Sequence, residues 1–301
     1  MPDPERIAIV GLGLIGGSLA LALRRARPTL RIVGVDVDPR AREQALEGRA
    51  VDAATTFEEA PFQDCATVLL AVPAQPLLEM IPAVAARMRP GMLLTDVCGA
   101  KERICAAAAR QENVAFVGGH PMAGTEYRGF VAANPALFSG CTVALTPAVG
   151  TKDERALRDG AARVRALWTS AGADKLLDVD PAVHDRAVTF ASHVPYLAAA
   201  SVVDALLSAG DAAALARELA AGGFRDTTRL AGDGTVGGAA ALNRFVPEAA
   251  RALAERLRKL ADDLEREPAR ALELLGKLAD ERRRMRLPSV AATTPKTAKP
   301  R

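Results

Sequence analysis

A histidine in a glycine-rich turn is the residue of this sequence best suited to proton chemistry. His120 is one of three histidines, and it lies in the segment Gly-Gly-His-Pro-Met-Ala-Gly-Thr-Glu at 118–126, directly after an apolar run at 114–117. An imidazole changes its charge near neutral pH, and glycines in a turn allow a flat ring to approach the main chain closely. The pattern predicts a general base at the end of a strand. The alternative is a turn histidine that is bonded to the main chain.

A second chemical signature lies about a hundred residues earlier and predicts a dinucleotide site. The apolar run at 7–10 predicts a buried strand, and G-x-G-x-x-G spacing follows it at the start of a predicted helix. Free amides at the positive end of such a helix bind a pyrophosphate. The alternative is a glycine-rich turn in a βαβ unit that binds no nucleotide. The predicted cofactor contacts of this turn are Gly11, Leu12, Gly13, Leu14, Ile15 and Gly16.

An acid at the end of the next predicted strand indicates which dinucleotide binds. Asp36 can accept hydrogen bonds from both ribose hydroxyls of a dinucleotide. Its negative charge would repel the 2′-phosphate of NADP, so NAD is the expected cofactor. Arg40 and Arg42 follow closely and would favour that phosphate, which leaves NADP as the alternative.

Apolar strands alternate with helical segments over residues 1–178, which predicts a doubly wound α/β fold with a Rossmann-type parallel sheet. Ligands of such sheets bind beyond the carboxyl ends of the strands. The sequence places His120 at one such end and four further residues at two others. We therefore expect these residues to border one crevice, and we predict cofactor contacts from Ala71, Val72, Pro73 and Asp96.

The character of the sequence changes after residue 178, and residues 179–287 predict an all-helical domain for substrate binding and dimerisation. Asp180 is expected to cap a helix that runs to about residue 208 with a kink at Pro195. Further helices are predicted at 212–221, 225–231, 239–267 and 268–285. The stretch at 190–207 is apolar on nearly every face, so we expect a homodimer with interlocked helical domains. Residues 288–301 predict a disordered tail.

One segment of the helical part carries polar residues within an apolar helix, where buried polar groups need partners. Ser192 and Tyr196 flank His193 in this segment and are predicted to line a substrate pocket. A histidine that is bonded within the core is the alternative for His193. His184, near the start of the same helix, is predicted to be exposed and to have no role.

A further segment, Gly-Gly-Phe-Arg-Asp-Thr-Thr-Arg at 222–229, predicts contacts to an acidic substrate. Arg225 and Arg229 stand four residues apart on one predicted helix face, and a guanidinium pairs with a carboxylate through two hydrogen bonds. Gly222 and Asp226 complete this predicted set. The alternative is a plain surface ion pair between Asp226 and Arg229.

Composition argues against several other classes of protein. The 301 residues include 39 basic and 36 acidic side chains, so the chain lacks the large positive charge that is typical of nucleic-acid binding. Only 4% of the residues are aromatic, which leaves few side chains for stacking on bases. The four cysteines lack C-x-x-C spacing, so no metal site is predicted. The most apolar stretch contains His193, Pro195 and Asp204, which argues against a membrane span. The first predicted strand leaves no room for a signal peptide, and we expect a cytoplasmic protein.

Together, these motifs resemble the prephenate/arogenate dehydrogenase family of tyrosine biosynthesis. The resemblance rests on G-L-G-L-I-G-G-S-L-A at 11–20, T-D-V at 95–97 with Lys101, G-H-P-M-A-G-T-E at 119–126, S-H-V-P at 192–195 and G-G-F-R-D-T-T-R at 222–229. It implies that His120 bonds the substrate 4-hydroxyl and that Arg229 binds a substrate carboxylate. It also implies that Thr125, Glu126 and Asp226 lie near the pocket.

The reaction that the resemblance implies is an oxidative decarboxylation of prephenate, arogenate or both. NAD takes a hydride from the ring carbon that bears the hydroxyl, His120 accepts the hydroxyl proton, and the ring becomes aromatic as CO₂ leaves. One alternative is a hydroxyacid dehydrogenase of the 6-phosphogluconate or hydroxyisobutyrate type, which would need a lysine that the predicted helix at 181–208 lacks. The other is a catalytically silent NAD-binding interaction protein.

Three departures from the family pattern affect the predicted site. Cys98 and Gly99 stand where many members have Gly-Ser, which removes a serine that otherwise shares the hydroxyl contact. Tyr196 stands where prephenate-preferring members often have histidine, so the choice between prephenate and arogenate stays open. Residues 232–238 replace a Ser-Asp-Pro stretch with its tryptophan, which leaves one wall of the pocket undefined.

Overall fold

The apolar runs form a nine-stranded sheet within residues 5–125 and 127–286, which the computed structural model describes. The strand order is β3-β2-β1-β4-β5-β6-β7-β9, and β8 pairs with β6 off this path. All pairs are parallel except those of β6 with β7 and with β8. The predicted doubly wound α/β fold is therefore confirmed. The strands are β1 (Arg6–Val10), β2 (Arg31–Val35), β3 (Ala53–Thr55), β4 (Thr67–Leu70), β5 (Leu93–Asp96), β6 (Ala115–Pro121), β7 (Thr142–Leu145), β8 (Val149–Gly150) and β9 (Lys175–Asp178).

Helices cover both faces of this sheet, which explains why its central strands are apolar on both sides. One face buries Phe62 and Phe116, and the other buries Trp168 against Phe138 with ring centroids 5.3 Å apart. The strands β3 and β8 escape prediction because two or three residues leave no periodic signal. The connecting helices are α1 (Leu14–Ala26), α2 (Pro39–Glu47), α3 (Ala74–Ala85), α4 (Glu102–Ala108) and α5 (Glu154–Ser170).

The turn between β1 and α1 depends on glycines that have different tasks. Gly11 has a φ of +94°, and a Cβ there would lie 2.4 Å from the carbonyl oxygen of Ala71. A Cβ on Gly16 would lie 1.9 Å from the carbonyl oxygen of Gly11, whereas a Cβ on Gly13 would meet no atom within 4 Å. The first and third glycines therefore permit close packing of helix on strand, and the second leaves open space before the helix.

Among the described residues, only helices and helical turns follow Asp180, as predicted. Asp180 caps the first helix and accepts hydrogen bonds from the amides of Ala182 and Val183 at 2.9 and 3.1 Å. The predicted tail at 288–301 lies outside the described residues. The helices are α6 (Pro181–Val188), α7 (Val194–Leu207), α8 (Ala212–Glu218), α9 (Gly222–Thr228), α10 (Gly234–Leu242), α11 (Val246–Arg266) and α12 (Pro268–Arg284).

Two predicted helices are interrupted. A π-helical turn, Thr189–His193, separates α6 from α7, because Pro195 near the start of α7 has no amide hydrogen to continue the α-helical pattern. The predicted helix at 239–267 is in fact α10 and α11, which are separated at Asn243. The buried Asn243 side chain donates to the carbonyl of Asp185 at 2.7 Å and to the hydroxyl of Thr189 at 3.0 Å. These bonds to α6 and the π-helical turn explain the break.

Much of the apolar surface of the helical part is uncovered in the single chain. Pro181–Leu207 is the one stretch of the described residues that is long and apolar enough to cross a membrane. Its buried Asp185 and His193 are hydrogen-bonded to other protein groups, which suits a helix that packs against protein. Six leucines among the described residues of the helical part each expose more than half of their surface: Leu207, Leu215, Leu219, Leu257, Leu272 and Leu278.

We expect Gly16→Ala to lower the free energy of unfolding by about 1–3 kcal/mol, because its methyl group would overlap the Gly11 carbonyl. Urea unfolding followed by circular dichroism measures this change. Gly13→Ala is the matched control, since its methyl group meets no atom and its φ of −76° suits alanine. The control should change the free energy by less than about 0.5 kcal/mol. Equal values for the two variants would contradict the packing role of Gly16.

Candidate active site

The carboxyl ends of four neighbouring strands meet at one edge of the sheet, as predicted. Leu70 of β4 pairs in register with Val10 of β1 and with Asp96 of β5, and Asp96 pairs with Gly118 of β6. The segments that leave these strands are therefore adjacent. The glycine-rich turn, residues 71–73 and the histidine turn border one crevice.

Asp36 is held beside the glycine-rich turn. Its half-buried carboxylate accepts hydrogen bonds from the amide of Leu12 at 2.6 Å and from the amide of Asp38 at 2.9 Å. Arg42 donates to the main-chain carbonyls of Asp36 and Val37 at 2.6 and 3.2 Å. A fixed negative charge thus stands where a ribose is predicted, and the Arg42 guanidinium is engaged by the main chain.

The predicted cofactor contacts in the glycine-rich turn and at residues 71–73 divide into two groups. The group that reaches the surface of the crevice is half-buried or exposed and comprises Gly13, Leu14, Ile15, Ala71, Val72 and Pro73. The group that is buried comprises Gly11, Leu12 and Gly16. The Leu12 side chain has no access to the crevice, and its amide is already bonded to Asp36. The buried group therefore shapes the turn rather than presenting side chains to a ligand.

Asp96 does not face the crevice, which corrects its predicted role as a cofactor contact. It is fully buried in an ion pair with Lys101, which is also fully buried. Asp96 accepts hydrogen bonds from the amides of Cys98 at 2.9 Å and Gly119 at 3.2 Å, and Lys101 donates to the Gly119 carbonyl at 2.9 Å. The ion pair therefore holds both main-chain groups of Gly119 and fixes the start of the histidine turn.

The two ring nitrogens of His120 have different surroundings. Nδ1 lies 2.9 Å from Nε2 of His184, and the two rings meet edge to face with centroids 5.1 Å apart. Nε2 faces Gly99, where a Cβ would lie 3.3 Å away. Burial lowers the pKa of His120 well below 6.5, and the neighbouring His184, Lys101 and His193 lower it further. His120 is therefore neutral at neutral pH, the form that a general base needs.

His184 is buried, which corrects the prediction that it is exposed and has no role. Its Nδ1 lies 2.8 Å from Oδ1 of Asp185, so the histidine stands between that carboxylate and His120. The sequence does contain a signal, because a His-Asp pair lies within the helix that Asp180 caps. Adjacent helix residues do not usually face each other, so the sequence does not indicate that these two side chains are hydrogen-bonded.

Asp185 is the ionised end of this arrangement. Burial alone would raise the pKa of its carboxyl, but hydrogen bonds from His184 and from the amides of Glu102 and Lys101 hold that pKa below its usual value. The two amides donate at 3.0 and 2.7 Å. A carboxylate of α6 therefore binds the first amides of α4 and a histidine that contacts His120.

His193 is bonded within the core, which was the alternative considered for it. It exposes 1% of its surface, and its Nδ1 lies 3.1 Å from the side-chain nitrogen of Asn243. Burial lowers the pKa of His193 to about 4, although the nearby Asp185 opposes the shift. His193 is therefore a neutral structural histidine.

The helical segments predicted to bind substrate reach the surface in part. Ser192 and Tyr196 are half-buried, and a Cβ on Gly237 would lie 3.1 Å from the Tyr196 hydroxyl. Gly222 begins α9, but Arg229 begins a 3₁₀ turn, Arg229–Gly232, so the two arginines do not share one α-helix as predicted. All four predicted binding residues of this segment are exposed: Gly222, Arg225, Asp226 and Arg229.

The histidine turn reaches toward this segment of the helical part. Arg128, two residues beyond the histidine turn, donates to the carbonyl of Gly232 at 3.3 Å, at the end of the 3₁₀ turn. Thr125 is half-buried, and its hydroxyl accepts a hydrogen bond from the amide of Tyr127 at 3.2 Å. Glu126 lies outside the described residues, so its predicted place near the pocket stays a prediction.

Two family models match the chain. The nucleotide-binding domain of prephenate dehydrogenase matches residues 19–175, and the dimerization domain of prephenate dehydrogenase matches residues 180–266. The chain belongs to the prephenate dehydrogenase family. The site described above is formed by both matched regions, since His120 comes from the first and His184 from the second.

Individual members of the prephenate dehydrogenase family are similar over much of the chain. Prephenate dehydrogenase of Bacillus subtilis is 34% identical over 230 residues, which cover 75% of this chain and about 60% of the length of that relative. The crystal structure of Synechocystis arogenate dehydrogenase is 30% identical, with a TM-score of 0.70, and the match covers 93% of this chain and 99% of that one. Prephenate dehydrogenase from A. aeolicus, in complex with hydroxyphenyl propionate and NAD⁺, is 26% identical with a TM-score of 0.82 over 93% and 98% of the two chains.

The departure at Gly99 lies directly against the histidine of this prephenate dehydrogenase family member. A Cβ on Gly99 would lie 3.3 Å from Nε2 of His120 and 3.4 Å from Cβ of Ala239 in α10. A serine here would fit only after its neighbours shift by a few tenths of an ångström. Residue 99 therefore offers no hydroxyl group to Nε2 in this chain.

The pH dependence of stability tests the burial of His193. An unfolded histidine has a pKa of about 6.5, whereas folded His193 has a pKa of about 4. Between these values the unfolded chain binds a proton that the folded chain does not, so the free energy of unfolding falls as the pH falls. The full shift corresponds to about 3 kcal/mol.

The matched variant is His193→Asn, which keeps an oxygen to accept from Asn243 but cannot titrate. Urea unfolding at about pH 7 and about pH 4 should show a loss that is about 3 kcal/mol smaller in the variant. Equal losses in both proteins would contradict the burial of a neutral His193.

Proposed function

We propose that this chain catalyses the NAD-dependent oxidative decarboxylation of prephenate, of arogenate or of both. The position of His120 carries the proposal, because its Nδ1 is engaged by His184 while its Nε2 faces Gly99, which follows the carboxyl end of β5. The relatives that are named prephenate dehydrogenase and arogenate dehydrogenase support the substrate class.

The glycine-rich turn fits a dinucleotide. Open space stands in front of Gly13 at the amide end of α1, where a pyrophosphate would bind, and Asp36 presents a carboxylate for the ribose hydroxyls. Residues 71–73 would border the same ligand. Bound NAD supplies the hydride acceptor, which no side chain can supply. The charge of Asp36 and the engagement of Arg42 by the main chain favour NAD over NADP.

His120 accepts the hydroxyl proton of the substrate and later returns it. As the ring carbon that bears the hydroxyl is oxidised, the hydroxyl proton passes to Nε2 and a carbonyl forms. The bond between the ring and its carboxylate then breaks, and CO₂ leaves without its bonding electrons. That electron pair passes through the ring to the oxygen, which takes the proton back from His120 as the ring becomes aromatic. Formation of the aromatic ring drives this step, so the chain needs no covalent nucleophile.

The residues around His120 keep it unprotonated and hold it in position for this proton transfer. Burial and the neighbouring charges keep its pKa low, so that Nε2 is unprotonated before the substrate binds. The Lys101–Asp96 ion pair fixes Gly119, the residue before His120. A base that is held in place contributes roughly 10²- to 10⁴-fold to the rate.

Arginine side chains are proposed to bind the carboxylate that the substrate keeps. Arg229 takes this role, because it is exposed beside α9 and Arg128, just beyond the histidine turn, bonds the same 3₁₀ turn. The carboxylate that leaves must not be neutralised strongly, since an ion pair would hold it on the ring. The other proposed pocket residues are Thr125, Glu126, Ser192, Tyr196, Gly222, Arg225 and Asp226.

His120→Asn tests the assigned reaction and the base separately. NADH formation is measured with prephenate and with arogenate side by side, and NAD affinity is measured by calorimetry. We expect kcat of the variant to fall by at least about 100-fold, with NAD affinity unchanged, because only the proton acceptor is lost. A wild-type chain that turns over neither substrate would contradict the reaction. A variant that keeps its activity would contradict the role of His120.

We also propose that two copies pair through the helical domain and that the enzyme acts in the cytoplasm. The match to a dimerization domain over residues 180–266 and the exposed leucines of the helices support pairing. The four cysteines are free thiols, which suits a reducing compartment.

The dimer proposal predicts a mass of two chains by analytical ultracentrifugation. Leu207→Lys at the end of α7 should raise the dissociation constant by at least about tenfold, because a charge would replace a leucine that pairing of the helical domains would bury. Leu46→Lys on α2 is the matched control, since this leucine is also partly exposed but lies outside the helical domain. A monomeric wild-type protein, or equal effects of both variants, would contradict the proposal.

A further inference from the structure

A histidine and a carboxylate stand in line behind the proposed base. The distance from His120 Nδ1 to His184 Nε2 is 2.9 Å, and the distance from His184 Nδ1 to Asp185 Oδ1 is 2.8 Å. His184 and Asp185 expose only 3% and 1% of their surfaces. Both come from α6 of the helical part, whereas His120 ends β6 of the sheet.

The positions of the hydrogen atoms along this line can be assigned by starting from Asp185. Asp185 accepts the amide of Lys101 on Oδ1 and the amide of Glu102 on Oδ2, as an ionised carboxylate does. His184 must then donate from Nδ1 to Oδ1. With His184 taken as neutral, its other nitrogen is an acceptor, so His184 Nε2 accepts from His120 Nδ1. This assignment leaves the lone pair of His120 on Nε2.

We propose that His184, oriented by Asp185, is a positioning residue that fixes the tautomer of His120 with its lone pair on Nε2. The inference rests on the proposed function, since only a proton transfer gives the tautomer a consequence. In the opposite tautomer Nε2 would carry a hydrogen and could not accept the substrate proton. When Nε2 does accept that proton, the positive charge on His120 is shared through His184 with the carboxylate of Asp185.

The same carboxylate also joins the two parts of the chain. Asp185 bonds the first two amides of the α4 region, and Arg244, which follows α10, pairs with Glu102 at 2.8 Å. The line to His120 therefore forms only when the helical part is docked against the sheet. Asp185 is unsuitable for a first mutation because its loss would also loosen this joint, whereas His184 contacts the base without capping a helix.

Nitrogen NMR of the unmodified protein tests the tautomer without any turnover. The sequence has three histidines, so labelling histidine with ¹⁵N gives three pairs of ring nitrogens, and His120→Asn assigns one pair. In the wild-type protein, with and without NAD, we expect a hydrogen on Nδ1 of His120 and none on Nε2. A hydrogen on Nε2 would overturn the proposal. The NMR measurement tests the tautomer even if the chain turns over neither prephenate nor arogenate. An absence of turnover would contradict only the proposed function.

Two substitutions at His184 separate positioning from general stability. In His184→Gln the carboxamide oxygen can accept from His120 Nδ1, whereas His184→Leu offers no acceptor. We expect kcat to fall by about 10²- to 10³-fold in the leucine variant and by less than about tenfold in the glutamine variant, with the NAD KM unchanged in both. Equal losses of kcat in both folded variants, or no loss in the leucine variant, would overturn the proposal. If the leucine variant does not fold, the NMR measurement decides.

Discussion

Residue 101 is the point where the sheet, the proposed base and the helical part meet. The buried ammonium of Lys101 pairs with Asp96 and donates to the Gly119 carbonyl, while its amide donates to Asp185. Removing two charges from water costs several kcal/mol for each ion, and the pair is tolerated because hydrogen bonds complete its geometry. The side chain of Lys101 thus holds Gly119, the residue before His120. The Lys101 amide holds Asp185, which is bonded to His184 behind His120. Loss of either ion would leave an unpaired buried charge and would remove a hydrogen bond that holds the main chain of Gly119.

The sequence predicts the sheet well because its signals are local. Apolar runs of four to six residues, glycines at fixed spacing and an acid at Asp36 each indicate their element without knowledge of the rest of the chain. The crevice then follows from the rule that parallel strands end at one edge, and His120 does lie near the carboxyl end of β6. The strands β3 and β8 are too short for such a signal, and the antiparallel pairing of β7 has no local mark.

The parts of the site that escaped prediction depend on contacts between distant residues. A carboxylate at a strand end can face a ligand or a buried lysine, and only the fold shows that Asp96 does the second. His184 looks like a surface residue near a helix start, yet it meets a ring 64 positions away. The alanine-rich stretch at 239–267 looks like one helix, and only the bonds of Asn243 to α6 and the π-helical turn explain its break.

The glycine-rich turn has a consequence for how fast a dinucleotide can be captured. Gly11 is locked in a left-handed conformation against the Ala71 carbonyl, and Gly16 is pressed onto Gly11, so the loop has its shape before any ligand arrives. A preorganised loop loses little conformational entropy on association. A dinucleotide should therefore bind to a loop that is already ordered, so that loop ordering adds little to the activation barrier for association. Affinity should then be governed mainly by the dissociation rate.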